Sequence, residues 1–423
     1  MSYRITALGA IEILDSRGRP TLEVRVELDG GAVGVAAVPS GSSKPRGGAV
    51  ERRDSDPDRF GGTGVRSVVA TVEEEIADAV VGTAWASLED LDAALCALDG
   101  TPNKERLGGN AIVGVSMASA RAFAARDGSP LHRWLAYPGG TARLPVPHFT
   151  LVNGGTNAHN RLDFGEFMVA PLGAPSFAEA LRAGVEIYAR LQTSLERIGL
   201  PVLFGDQGGL VPPLQAPGDV LDLLAAAIDA AGYQRGPDGV AIAVDVAASD
   251  LRQGDGRYLV NGTHFDMVDM VDYLVHLADR YPIWSIEDGV AADDAKGWEF
   301  LTEQLGERVQ LVGGDSLVTS PDRISEATAH RRGTAALVKV NQAGTVSETL
   351  EAISRCYRGG FEAMVSHRSG ETTDAFIADL SVAAGCGQIK AGAPARGERV
   401  AKYNRLLAIE AEDGSLPYGR RRG

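Results

Sequence analysis

Residues 3–38 alternate apolar and polar side chains, most regularly along Leu22-Glu23-Val24-Arg25-Val26-Glu27-Leu28. A period of two buries one face of a sheet, so this stretch predicts antiparallel strands joined through the Asp29-Gly30-Gly31 turn. From about residue 66 to 136 the period lengthens. Val68, Val69, Val72, Ile76, Ala79 and Val80 form a helical stripe, and a second long helix is expected from about Asn110 to Arg126. Strands followed by helices make a small α+β domain. Tyr137-Pro138-Gly139-Gly140 carries turn chemistry where the rhythm changes, which sets expected domains of 1–137 and 141–423.

Beyond that boundary, short apolar runs alternate with helical segments. The runs are Ala241–Val244, Pro282–Ile286, Val309–Val312, Ala335–Val338, Ala363–Val365 and Gly387–Ile389. Helices are expected between them, among them Met267–Arg280, Thr345–Arg355 and Thr373–Ala384. Repeated β-α units imply a parallel sheet, and their number favours a closed α/β barrel over an open sheet. After the runs come, in order, Asp245, Glu287, Gly314-Asp315, Lys339, Ser366-His367-Arg368-Ser369 and Lys390. Ionisable residues at the carboxyl ends of successive parallel strands converge on one barrel mouth, where barrel enzymes keep their chemistry.

Composition narrows the partners. Lys and Arg number 41 against 56 Asp and Glu, a net charge of −15. That balance argues against nucleic acid, whose readers carry a basic surplus. No run approaches the ~18 apolar residues of a membrane span. The three cysteines, Cys96, Cys356 and Cys386, have no metal-like spacing, and the first residues do not read as a secretion signal. The expectation is a cytoplasmic protein with reduced thiols. The 52 glycines point to tight connections and close backbone approach, and Gly154-Gly155, Gly208-Gly209 and Gly313-Gly314 all fall at the expected mouth.

Asp245 and Glu287 offer hard oxygen donors without His or Cys, a chemistry that selects Mg2+ over zinc. The same carboxylates could instead pair with Lys339 and Lys390 in a structural ion network. A lysine beside divalent charge is suited to base catalysis near neutral pH. Arg368-Ser369-Gly370 suits phosphate, through a guanidinium fork and backbone donors at a turn. Metal, base and anion grip together point to proton abstraction beside a carboxylate.

At these residues the chain resembles the enolase family along nearly its whole length. The matching stretches are Glu12-Ile13-Leu14-Asp15-Ser16-Arg17-Gly18, Pro39-Ser40-Gly41, Asn110-Ala111-Ile112-Val113-Gly114-Val115-Ser116 and Val152-Asn153-Gly154-Gly155. Further on come Ser285-Ile286-Glu287-Asp288, Val338-Lys339-Val340-Asn341-Gln342, Ser366-His367-Arg368-Ser369-Gly370-Glu371-Thr372 and Gly387-Gln388-Ile389-Lys390. The resemblance implies a smaller α+β capping domain on an enolase-like (β/α)8 barrel, and a homodimer or higher homo-oligomer. It implies Asp245 and Glu287 as Mg2+ ligands, Lys339 as the base, and Lys390 near the substrate carboxylate. Arg368 and Ser369, with His367 beside them, would grip phosphate. Glu166 would lie near the leaving hydroxyl, and Ser43 would touch a second Mg2+ from the loop after Ser40-Gly41.

Four departures from the family pattern stand out. Gln207, in Gly205-Asp206-Gln207-Gly208-Gly209, replaces a glutamate on the acid side of the reaction, and an amide has no proton to give at neutral pH. Asn157 stands where a histidine is expected, with His159 two residues later. Gly314 occupies the slot of the third metal ligand, so that ligand would be Asp315, if the glycines let the chain bulge, or else water or substrate. Ser42-Ser43-Lys44-Pro45-Arg46 puts two cations, Lys44 and Arg46, in the loop, suited to a more negative ligand. Retained base and anion grip beside an altered acid side lead to the expectation of a specialised paralogue. Such an enzyme would handle a small phosphorylated or phosphonate carboxylic acid, as a carboxyphosphonoenolpyruvate synthase of phosphonate and phosphinate biosynthesis does. The alternatives are an ordinary enolase, and a non-catalytic binding protein on an enolase scaffold.

Overall fold

A computed structural model describes residues 2–41, 47–136, 141–155, 158 and 160–420. The period-two stretch forms β1 (Tyr3–Leu14), β2 (Pro20–Leu28) and β3 (Val33–Ala37), with β4 (Ala84–Trp85) on the free edge of β1. Leu22, Val24, Val26 and Leu28 are buried together, as the alternation requires. They pack on the helix Gly109–Arg126, which comes close because Gly34 faces it: a Cβ there would lie 1.9 Å from the Ala118 carbonyl oxygen. The predicted stripe from Val68 to Val80 is helical, with one π-helical turn over Val72–Ile76.

The barrel strands are β5 (Val146–Asn153), β6 (Glu166–Ala170), β7 (Ala241–Asp245), β10 (Ile283–Glu287), β11 (Gln310–Gly313), β12 (Ala335–Val338), β13 (Glu362–Ser366) and β14 (Gln388–Gly392). A two-stranded hairpin of β8 (Tyr258–Val260) and β9 (Thr263–Phe265) lies outside it. The eight close in the order β10-β11-β12-β13-β14-β5-β6-β7. The six runs read from the sequence fall on six of these strands, with ends that differ by at most three residues.

The all-parallel expectation needs one correction. β6 runs antiparallel to both β5 and β7. Among the described residues the 154–165 connection holds no α-helix, and a parallel return needs a crossover long enough to carry one. The reversal has a chemical consequence. It puts the first residue of β6, Glu166, at the mouth where the other strands end.

Capping domain and barrel are joined by partly buried polar links. Asp374 accepts from the Arg121 guanidinium at 2.5 and 2.8 Å, from the Ala37 N–H at 3.0 Å and from the Phe376 N–H at 2.7 Å. That last bond starts a helix at Phe376–Ala383, later than the expected Thr373. Burial raises the Asp374 pKa, but Arg121 and the two backbone donors outweigh it and hold the carboxyl below its usual range. A depressed native pKa means the link stabilises fully above the unfolded value near ~3.9 and is lost as pH falls through the native one. Asp374→Asn is therefore expected to narrow the drop in urea midpoint between about pH 6 and about pH 3. An unchanged drop would place the acid sensitivity elsewhere.

Candidate active site

The strand ends bring the chemistry together. Asp245 closes β7 and pairs in register with both Glu287, which closes β10, and Glu166, which opens β6. Lys390 on β14 pairs with Ser366, which closes β13. Lys339 follows β12 directly, and Gly314 and Asp315 follow β11. Glu166, Gln207, Asp245, Glu287, Asp315, Lys339, His367, Arg368, Ser369 and Lys390 line one cavity, together with Asp288. Ser43, Lys44, Arg46, Asn157 and His159 lie outside the described residues.

Lys390 sits among the acids. Its Nζ lies 3.0 Å from Asp245 Oδ2, 2.9 Å from Glu287 Oε2 and 3.2 Å from Glu166 Oε1. Burial works against its charge, but these carboxylates outweigh burial and raise its pKa well above the usual value. Asp245 is pushed up by burial and brought below its ordinary range by Lys390 and Lys339. Glu287 is raised well above its range, by burial and by Asp245. Asp288 is pushed up to about 7, by burial and then by Asp315 and Asp245. The acids are thus short of compensating charge. Asp245, Glu287 and Asp288 each offer one carboxylate oxygen within 4.8 Å of the others. An all-oxygen set with surplus negative charge fits Mg2+. Asp315 is not in this compact set; its backbone N–H reaches Asp288 Oδ2 at 3.0 Å.

The opposite wall is cationic. Arg368 is buried, and its guanidinium donates to Asn341 Oδ1 at 2.8 Å. Behind it lies Arg399, wholly buried, from the helix Gly397–Glu412. Arg399 reaches His367 Nδ1, Arg368 O and Ser369 O, each at 2.7 Å, and Asp206 O at 3.2 Å. Arginine only donates, so His367 Nδ1 must accept and the ring proton sits on Nε2. Burial, then the charges of Arg399 and Lys390, hold His367 well below its usual pKa, so it is neutral. A neutral ring with a fixed N–H beside a guanidinium is an anion grip.

Gln207 is held by an amide. Asn153 Nδ2 donates to Gln207 Oε1 at 3.2 Å, and Asn153 Oδ1 accepts from the Gly209 N–H at 3.0 Å. With its oxygen engaged, Gln207 has its NH2 to offer toward the cavity. Glu166 Oε2 accepts from Thr150 Oγ1 at 2.7 Å. Sequence reasoning did not single out Asn153, Arg399 or Asp288. Asn153 closes β5 but is not ionisable, and Arg399 lies on a helix, so neither stands out as a charged strand end. Asp288 was hidden by its place next to Glu287.

Comparison with known proteins agrees with this architecture. The family described as "Enolase, N-terminal domain" matches residues 5–135, and "Enolase, C-terminal TIM barrel domain" matches 141–419. A protein named Enolase from Acidothermus cellulolyticus is 51% identical over 408 residues, covering 96% of this chain and 94% of its own. Enolases from Rubrobacter xylanophilus and Beutenbergia cavernae are 52% and 50% identical over 412 and 410 residues, covering 97% of this chain and 95% and 96% of their own. These relatives overturn the expectation of a specialised phosphonate-pathway paralogue. The altered positions belong to a chain that is about half identical to proteins named enolase from end to end. Two of them, Gln207 and Gly314, lie among the described residues and sit in intact surroundings. Gln207 is hydrogen-bonded in place, and Asp288 fills the room left at Gly314.

Proposed function

Because this chain belongs to the enolase family, we propose that it interconverts 2-phosphoglycerate and phosphoenolpyruvate by eliminating and adding water. The observation that carries this reading is one cavity with a lysine base and carboxylate cluster on one side and a buried Arg368–His367 anion grip on the other. Asp245 and Glu287 would hold Mg2+, which, when bound, supplies positive charge to stabilise the dianionic carboxylate formed when C2 loses its proton.

This chain's own residues account for the rest. Arg368 and the Nε2–H of His367 bind the phosphate. Lys339 Nζ takes the C2 proton. Among the described residues no carboxylate lies within ion-pair distance of that amine, whereas Lys390 contacts three. Lys390 therefore serves better as a fixed positive charge facing the substrate carboxylate than as a base. The C3–O bond then breaks as the C2=C3 bond forms. The departing oxygen is hydrogen-bonded by the Gln207 amide and leaves as water once Glu166, which must first take up a proton from solvent, passes that proton to it. Gln207 orients and Glu166 supplies the proton, so the loss of a second acid does not stop the chemistry.

The test is direct. Purified protein with Mg2+ should convert 2-phosphoglycerate with the rise in ultraviolet absorbance that marks the enol product, and chelation should stop it. No conversion by folded, Mg2+-loaded protein would defeat the proposal.

A further inference from the structure

We propose that Asp288 supplies the third carboxylate to the divalent cation held by Asp245 and Glu287, in room that Gly314 leaves open. This rests on the reading of the cavity as a divalent-cation site.

Adjacent residues on a strand face opposite ways, so Asp288 should point away from Glu287. It does not, because the chain turns immediately after β10. Asp288 has φ 44°, a left-handed conformation that costs a non-glycine residue energy and that clusters at functional sites. The turn brings its carboxylate to the same side as Glu287 and Asp245.

Two backbone donors then fix the group. The Gly314 N–H reaches Asp288 Oδ1 at 2.9 Å, and the Asp315 N–H reaches Oδ2 at 3.0 Å. Each oxygen keeps acceptor capacity after one such bond. Its position also depends on residue 314 being glycine. A Cβ there would lie 2.7 Å from Asp288 Oδ2 and 3.4 Å from Glu287 Oε1. A side chain at 314 would therefore push the Asp288 carboxylate aside, and in this chain nothing displaces it. The neighbouring Asp315 gives its backbone N–H to Asp288 rather than a carboxylate to the compact set.

Titration of the full-length protein with Mn2+, without substrate, by calorimetry and electron paramagnetic resonance tests the assignment. Asp288→Asn keeps the size and one acceptor, and should weaken Mn2+ binding about tenfold or more, with Asp315→Asn changing it less than about twofold. Gly314→Ala, which crowds Asp288 without removing it, should weaken Mn2+ as well. Adding Gly314→Asp to Asp288→Asn should recover most of the affinity. Unfolding midpoints on the same samples identify a variant that has merely lost its fold, and Gly314→Ala then carries the test. Mn2+ affinity unchanged in both folded Asp288→Asn and Gly314→Ala, or a loss carried by Asp315→Asn, would overturn the assignment and leave the proposed activity standing. Wild-type protein that binds no Mn2+ would overturn both.

Discussion

Replacing Lys339 with alanine is expected to lower kcat for 2-phosphoglycerate roughly 10²–10⁴-fold, the usual scale for removing a general base. Mn2+ affinity and the unfolding midpoint should hardly move. The backbone at this position is held independently of the side chain, since the Lys339 N–H donates to Thr319 Oγ1 at 2.9 Å and Val338 lies within β12. Exchange of the C2 hydrogen with deuterated solvent gives a second readout. If Lys339 removes that proton, Lys339→Ala should lose exchange and elimination together. Glu166→Gln, by contrast, should lose elimination and retain more of the exchange, because proton removal at C2 precedes departure of the oxygen. Retained exchange in Lys339→Ala would assign the base elsewhere, and Lys390 would be the first group to test.

The distinction between the two lysines came from the family resemblance and not from their spacing, whereas their convergence was legible in the strand ends. Buried strands end where the chain meets solvent, so Asp245, Glu287, Lys339 and Lys390 announce themselves as ionisable residues closing apolar runs. Which lysine is enclosed by carboxylates depends on the register of β14 against its neighbours and on Glu166. Glu166 reaches the mouth only because β6 is reversed, and five wholly buried residues give no sign of strand direction. Asp288 was missed for a related reason: strand alternation is the right rule until the chain leaves the strand, and its left-handed φ breaks that rule at the first possible residue. The departures at Gln207 and Gly314 were legible as changes but not as compensated ones. Compensation lies in Asn153 and Asp288, groups that matter only once the chain has brought them alongside.

Replacing Arg399 with methionine should produce the largest combined loss of stability and substrate affinity. The side chain touches no substrate in the proposed reaction, yet three backbone carbonyls and one ring nitrogen converge on its guanidinium. Methionine fills much of the volume and donates nothing. Buried acceptors left without donors cost about 1–3 kcal/mol each, partly relieved by any water admitted, so a net destabilisation of about 3–5 kcal/mol is expected. A clear fall in urea midpoint measures it. The functional loss follows from the imidazole. Without a donor at Nδ1, His367 is free to place its proton on either nitrogen, and the Nε2–H no longer points obligatorily at the anion. Arg368 and Ser369, whose carbonyls Arg399 also holds, lose their fixed position at the same time. In protein that remains folded at low temperature, KM for 2-phosphoglycerate should rise by more than kcat falls, because the anion is gripped before and throughout the reaction. Arg399→Lys should recover part of the stability and less of the KM, since an ammonium can satisfy some of the carbonyls but cannot reproduce the planar fork. Folded Arg399→Met with an unchanged KM would separate the Arg399–His367 contact from substrate binding and leave it a purely structural bond.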